Sequence, residues 1–236
     1  MATKKVKIKV KKKKVNYKRI VIALIFIATI YLIVTYFIHL PIKNIYISGN
    51  EILSDKEIIT LSELDDYPQY INTYFINIED NLLKNDYIKS AKIKRKFLNK
   101  IYISITEYNP LAIYKDKLIL SSKKQVNNKY NIDYVPYIIN NIDTVYDKAV
   151  MAFSKINRDT LLKISHIEYS PNDVDKERFI LYMVDGNYVH ITLSKIEKIN
   201  KYNSIVSELD GKKGIIYLDS GDYVEIKGWH KATHII

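Results

Sequence analysis

Glu107 is the carboxylate whose surroundings first suggest chemistry. It ends the apolar alternating run of "AKIKRKFLNKIYISITEYNP", residues 91–110, with Pro110 three positions on. It shares a strand face with Ile101, Ile103 and Ile105, and regular pairing stops at the proline. A carboxylate there is either an acid–base group or a structural one, and the pattern favours a structural ion pair with a nearby lysine or arginine. The five histidines are His39, His166, His190, His230 and His234. No H-E-x-x-H zinc motif occurs among them. His230 and His234 stand four apart, a spacing that puts two metal ligands on one helix face. A third ligand is not evident, and the plainer reading is a polar C-terminal tail, residues 228–236. His166 and His190 fall in strand patterns and read as surface or half-buried side chains.

The six glycines form no G-x-S-x-G elbow, no Walker loop and no G-x-G-x-x-G turn. Without cysteine there is no thiolate nucleophile, no Cys-based zinc site and no disulfide. A carboxylate pair for sugar hydrolysis would meet only in the fold, and nothing in the sequence points to one. The expectation is a protein without catalytic residues, cofactor or metal.

The elements that position these residues begin with a charged tail. Residues 1–19 carry ten of the 37 lysines and arginines and no acid. The remaining 27 basic residues face 26 acids, so the net charge of +11 belongs to the tail. A nucleic-acid-binding domain carries its charge on a folded face, so nucleic acid is not expected as a partner. Ile20–Leu40, "IVIALIFIATIYLIVTYFIHL", has no charged residue over 21 positions, enough for a helix to cross a bilayer. A cleaved signal would have a shorter apolar core and small residues at its end. The run instead continues into Pro41-Ile42-Lys43, which favours a retained anchor. The lysine excess before it puts the N-terminus in the cytoplasm and about 195 residues outside. The tail can also lie against anionic lipid of the inner leaflet.

From Pro41 to Tyr108 the pattern is strand, helix, helix, strand, strand. "PIKNIYIS" opens it. Ser54 and Glu57 form a capping box before the stripe of Ile58 and Leu61. "FINIEDNLLKNDYI" holds a second short helix through Ile78, Leu82 and Leu83, with Asn77 as its candidate cap. "IKSAKIKRK" and "KIYISITE" are strands joined by the loop Phe97-Leu98-Asn99-Lys100. From Asn109 to Lys227 strands dominate. Two short strands flank Lys115-Asp116, and "YVPYII" is another. An amphipathic helix runs through Ile142, Tyr146, Ala149, Phe153 and Ile156. Asp159 caps a short helical turn, and "HIEYS" and "RFILYMV" are strands. Asp185-Gly186 signals a hairpin. Ser194 and Glu197 read as a second capping box, opening a helix through Ile196, Ile199, Ile205 and Leu209 that stops near Gly211. "GIIYL" and "DYVEI" close the region.

The ordered set "IKNIYISGN", "LSDKEI", "LLKNDYIKSAKIKRKF" and "IYISITEYNPLAIY" resembles the POTRA domain of the bacterial cell-division family of FtsQ and DivIB. The later set "ISHIEYSP", "ILYMVDGNYVHITL" and "KYNSIVSELDGKKGIIYLDSGDYVEI" resembles the β-domain of the DivIB branch. The likeness runs from the anchor to about Lys227. It departs at Leu98-Asn99, where members commonly have proline. It departs again at Ser122-Lys123-Lys124 in place of an Asp-Gly turn, and at Tyr217 in place of an acid.

The resemblance implies an α+β protein: one transmembrane helix (20–40), a POTRA domain (41–108, βααββ) and a mixed β-domain (109–227) with a mostly antiparallel sheet. It implies a non-enzymatic, single-pass division protein at the septal membrane, with its N-terminus inside. The expected partners are coiled-coil division proteins of the FtsL and DivIC or FtsB type and the septal peptidoglycan synthesis machinery. The last strands of the β-domain would contribute the partner surface, here Tyr217, Leu218, Gly221, Tyr223 and Val224, with Tyr202 on the helix beside them. A membrane-tethered cell-envelope enzyme and a POTRA-type transport chaperone are the alternative functions. The chaperone families continue into a membrane barrel, and no long series of amphipathic strands of the length a barrel needs follows here.

Overall fold

The computed structural model describes residues 16–68, 75–96, 99–226 and 232–234. The lysine-rich tail to residue 15, Phe97, Leu98, Trp229 and His230 lie outside the described residues.

Helix α1, Tyr17–Ile38, is apolar all round beyond Arg19 and long enough to cross a membrane. Its 22 residues span about 33 Å. Thr29 and Thr35 each donate to a carbonyl one turn earlier, Ile25 at 2.8 Å and Tyr31 at 2.9 Å, so neither hydroxyl is left without a partner in an apolar surrounding.

A three-stranded sheet follows. Strand β1 is Asn44–Ser48, β2 Ile88–Lys96 and β3 Lys100–Glu107. The order is β1-β3-β2, with β1 parallel and β2 antiparallel to β3. The parallel pair requires a crossover, supplied by α2 (Asp55–Leu61) and α3 (Phe75–Leu83). The Ser54–Glu57 capping box is present in full. Asn77 is not a cap, because α3 begins two residues earlier at Phe75. Ile58, Ile78 and Leu82 from the helices meet Ala91, Ile101, Ile103 and Ile105 from the sheet. The other sheet face is polar and exposed.

The second sheet has ten strands: β4 Pro110–Tyr114, β5 Lys117–Leu120, β6 Gln125–Asn127, β7 Tyr137–Ile138, β8 Ile164–Tyr169, β9 Arg178–Met183, β10 Tyr188–Thr192, β11 Gly214–Tyr217, β12 Tyr223–Ile226 and β13 Ala232–His234. Their order is β13-β12-β11-β10-β9-β8-β7-β4-β5-β6. Only the β10–β11, β7–β8 and β4–β7 pairs are parallel, so the sheet is mostly antiparallel as expected. Lys115 and Asp116 both take positive φ, 50° and 61°, which closes the β4–β5 hairpin without glycine.

One face of this sheet is covered by α4 (Tyr146–Phe153), α5 (Arg158–Leu161) and α6 (Tyr202–Ser207). Phe153 of α4 and Phe179 of β9 meet edge to face at 5.6 Å in the main core. Asp159 lies inside α5 rather than capping it; Asn157 occupies the cap position. The expected capping box at Ser194 does not form. Leu193–Lys201 is instead a 3₁₀ helix entered from Thr192. The apolar spacing explains this: Leu193, Ile196, Ile199 and Tyr202 recur every three residues, which suits three residues per turn, and all four are buried.

The chain passes between sheets from Glu107 to Pro110, but the packing does not stop there. On β5, Ile119 joins the core of the large sheet, while Leu118 and Leu120 join Ile101 and Leu82 in the core of the small one. Buried on both faces, "KLIL" reads as an unbroken apolar run after its first residue.

Candidate partner interface

At the C-terminal end of the large sheet, the pleat divides β11 and β12 into two sets of side chains. Ile216, Leu218 and Val224 point into the core and are buried. Tyr217 and Tyr223 point to the face that no described helix covers, directly opposite each other across the strand pair. Their rings stack at 4.6 Å with planes 15° apart. His190 on β10 lies in register with Tyr217, ring to ring at 4.8 Å. The result is an aromatic cluster three strands wide, each residue half-buried. Burial and the nearby Glu225 push the Tyr217 hydroxyl pKa up, so it stays a neutral donor and acceptor.

Beside the cluster, on the same sheet face, sits a nearly buried ion pair. Arg178 Nε donates to Asp219 Oδ2 at 2.7 Å, and the two side chains are 15% and 10% exposed. The same guanidinium donates to His190 Nδ1. Burial raises the Asp219 pKa, but the Arg178 hydrogen bond, the Ser220 hydroxyl and the Arg178 charge together bring it below the usual carboxylate range. Burial and the Arg178 charge hold His190 below the ordinary imidazole value, so it is neutral at pH 7. Gly221 forms the exposed β11–β12 turn at φ 141°, a backbone region open mainly to glycine. Lys198 Nζ reaches Asp222 at 2.5 Å and ties that turn to the 3₁₀ helix.

The six residues expected at the interface therefore divide. Tyr217, Gly221 and Tyr223 stand at the surface. Leu218, Val224 and Tyr202 do not: these residues are 4%, 0% and 2% exposed and build the scaffold beneath. The Tyr202 hydroxyl donates to the Asp185 carboxylate at 2.8 Å and accepts from Asn187 Nδ2 at 3.0 Å. Asn187 Oδ1 in turn accepts from the Gly214 amide at 2.8 Å. This buried network pins the β9–β10 hairpin, α6 and the start of β11 together. Burial first, then Asp185, pushes the Tyr202 pKa far above its ordinary value.

Two features of this end were not read from the sequence. Strand β13, inside the expected C-terminal tail, pairs antiparallel with β12, so β12 is not the edge of the sheet. The Arg178–Asp219 pair joins residues 41 apart in the chain and has no local signature. The periodicity that puts Tyr217 and Tyr223 on the face opposite Ile216 and Val224 was, by contrast, available in "GIIYL" and "DYVEI".

Glu107 lies elsewhere, at the joint between the sheets. Among the described residues it pairs with no lysine or arginine. Its carboxylate accepts from the backbone amides of Glu51, Ile52 and Leu53 at 2.8–2.9 Å. Next to it, the side chain of Glu51 pairs with Arg158 of α5. Both Glu107 oxygens are thus engaged in holding the loop before α2.

Residues 40–108 match the family model described as the FtsQ-type POTRA domain. The cell division protein DivIB of Listeria monocytogenes is 32% identical over 197 residues, covering 77% of this chain and 71% of that protein. DivIB of Bacillus subtilis is 31% identical over 197 residues, covering 78% and 73%. Among solved structures, the major extracytoplasmic domain of the trans isomer of DivIB from Geobacillus stearothermophilus aligns with 96% of its own chain and 44% of this one, at 19% identity and a TM-score of 0.37. By its FtsQ-type POTRA match and its identity to DivIB proteins over most of both chains, this chain belongs to the FtsQ/DivIB family of bacterial cell-division proteins.

Proposed function

We propose that this membrane-anchored division protein is a non-enzymatic, bitopic scaffold. Its N-terminus lies in the cytoplasm and its two domains, divided near Asn109, lie outside. There it binds coiled-coil division proteins of the FtsL and DivIC or FtsB type and helps localise and regulate septal peptidoglycan synthesis. The observation that carries this reading is the aromatic cluster of His190, Tyr217 and Tyr223 on an uncovered sheet face, beside the terminal strand β13. Stacked aromatic rings on a rigid sheet bury much area at low entropic cost when a partner helix or strand docks. A terminal strand can also accept an added strand through its backbone groups.

Co-purification of the full chain with its coiled-coil partners from membranes tests the reading. The double variant Tyr217→Lys, Tyr223→Lys is expected to lose those partners while keeping its fold. Undiminished recovery of the partners would remove the proposal. Ending the chain before Gly214 is expected to have the same effect, but it also deletes the fully buried Ile216 and Val224, so the surface variants are the sharper test. A fluorescent fusion is expected to form a septal band, and a uniform envelope signal would count against the function.

A further inference from the structure

The uncovered face of the small sheet carries lysines and no acid. Outward residues are Asn44, Tyr46 and Ser48 on β1, Lys100, Tyr102 and Ser104 on β3, and Lys92, Lys94 and Lys96 on β2. In register these make three rows. Lys96 and Asn44 flank Lys100, with Lys43 just before; Lys94 and Tyr46 flank Tyr102; Lys92 and Ser48 flank Ser104. Tyr46 and Tyr102 stack at 4.6 Å, and Lys96 Nζ lies 4.7 Å over the Tyr102 ring. The first row sits at the end of the sheet nearest α1.

The tether is short. Helix α1 ends at Ile38, and Ile42 is already fully buried in the small domain's core. Four residue steps reach at most about 14 Å. The backbone amides of Lys43 and Asn44 also bond to the Asn99 carbonyl, which fixes the entry of the chain beside the β2–β3 hairpin. A domain held this way cannot leave the bilayer surface, so its basic face meets headgroups at high effective concentration.

We propose that this face docks on anionic phospholipid headgroups of the leaflet from which α1 emerges. The lysines supply attraction, roughly fivefold in affinity for each one near an anionic surface. The stacked tyrosines supply the amphipathic rings that favour the interfacial zone. Docking would set the orientation of the large sheet, and so the height at which the aromatic cluster is presented. The proposal rests on the reading that α1 spans the membrane.

The chain has no cysteine, so single labelled positions are clean. The full chain, carrying an environment-sensitive fluorophore at Ser104→Cys, is placed in nanodiscs of phosphatidylcholine with or without phosphatidylglycerol. Acrylamide quenching is then measured. With phosphatidylglycerol the label is expected to lose most of its accessibility. The loss should reverse as salt rises from 0.1 to 1 M, where the screening length falls from about 10 Å to about 3 Å. It should also disappear in Lys92→Gln, Lys94→Gln, Lys96→Gln. A label at Met151→Cys, exposed on α4, is expected to stay accessible throughout. Equal quenching of the Ser104 label in both lipids overturns the proposal. So does protection that appears only when acidic membrane proteins are added. Carbonate extraction of native membranes reports on the anchor separately: release of the chain would remove the spanning reading, whereas retention with equal quenching removes only the lipid contact.

Discussion

The carboxylate of Glu107 accepts a hydrogen bond from the backbone amide of Ile52 at 2.8 Å, across 55 residues of sequence. The neighbouring amides of Glu51 and Leu53 complete the set. One side chain at the end of β3 therefore substitutes for a ladder partner in the loop that leads into α2. A carboxylate accepting from several amides is a strong arrangement because each bond is charge-assisted.

Glu107→Ala leaves three amides with no protein acceptor. The expected loss is about 2 kcal/mol, since water reaches part of the loop. For a region of this size that corresponds to a melting temperature lower by roughly 4–8 °C. Hydrogen exchange should quicken at residues 51–53 before it does so in the strands. An unchanged exchange pattern there would contradict the role assigned to Glu107. Arg158→Ala removes only the exposed pair with Glu51 and should cost no more than about 1 kcal/mol.

Gly49→Ala is expected to be more damaging than its size suggests. Gly49 sits at φ 86°, and an added Cβ would lie 2.1 Å from the Ile105 carbonyl oxygen. Backbone cannot yield as a flexible side chain can. A loss of about 2–4 kcal/mol is expected in urea unfolding. A loss below about 0.5 kcal/mol would mean the β1 turn does not approach β3 as described.

Scaffold and surface should separate cleanly at the C-terminal end. Tyr202→Phe removes a hydroxyl that serves both Asp185 and Asn187, and should cost about 1–3 kcal/mol of stability. Tyr223→Lys should leave the unfolding midpoint nearly unchanged yet weaken partner recovery. Measuring stability and co-purification on both variants checks the division, and the reverse pattern would refute it.

The Arg178, Asp219 and His190 cluster gives the large domain an acid-sensitive component. Both titrating groups have folded pKa values below their unfolded ones. Their stabilisation is therefore present above the unfolded values and is lost as pH falls. The decline begins below the ordinary histidine value of about 6.5 and continues through the carboxylate range. Urea midpoints measured from pH 8 to pH 3 should show this, and His190→Gln should remove the upper part of the slope. Arg178→Leu leaves Asp219 buried and unpaired, with an expected cost of about 3–5 kcal/mol at pH 7. A midpoint independent of pH between 7 and 5 would exclude the His190 contribution.

Local pattern carried much of this protein. The 21-residue uncharged run specified α1 because bilayer thickness sets helix length. Alternation in "KIYISITE" specified β3 and its buried isoleucines because the side-chain period of a strand is two. The Ser54–Glu57 box, the Lys115-Asp116 hairpin and the split of Tyr217 and Tyr223 from Ile216 and Val224 rest on the same short-range rules. The 3₁₀ helix at Leu193–Lys201 has its trace in a spacing of three, although Ser194 and Glu197 also fit an α-helical capping box.

What only the tertiary structure decided lies in contacts between distant segments. The three amides that hold Glu107, the Arg178–Asp219 pair, the Tyr202–Asn187–Gly214 network and the pairing of β13 on β12 all join residues far apart in the chain. Each depends on where the sheets place them, and charge or polarity in the sequence shows that a partner is needed without saying which one. Glu107 makes the point: its position at a strand end announced a structural carboxylate, and the fold alone chose backbone amides over a lysine as what it holds.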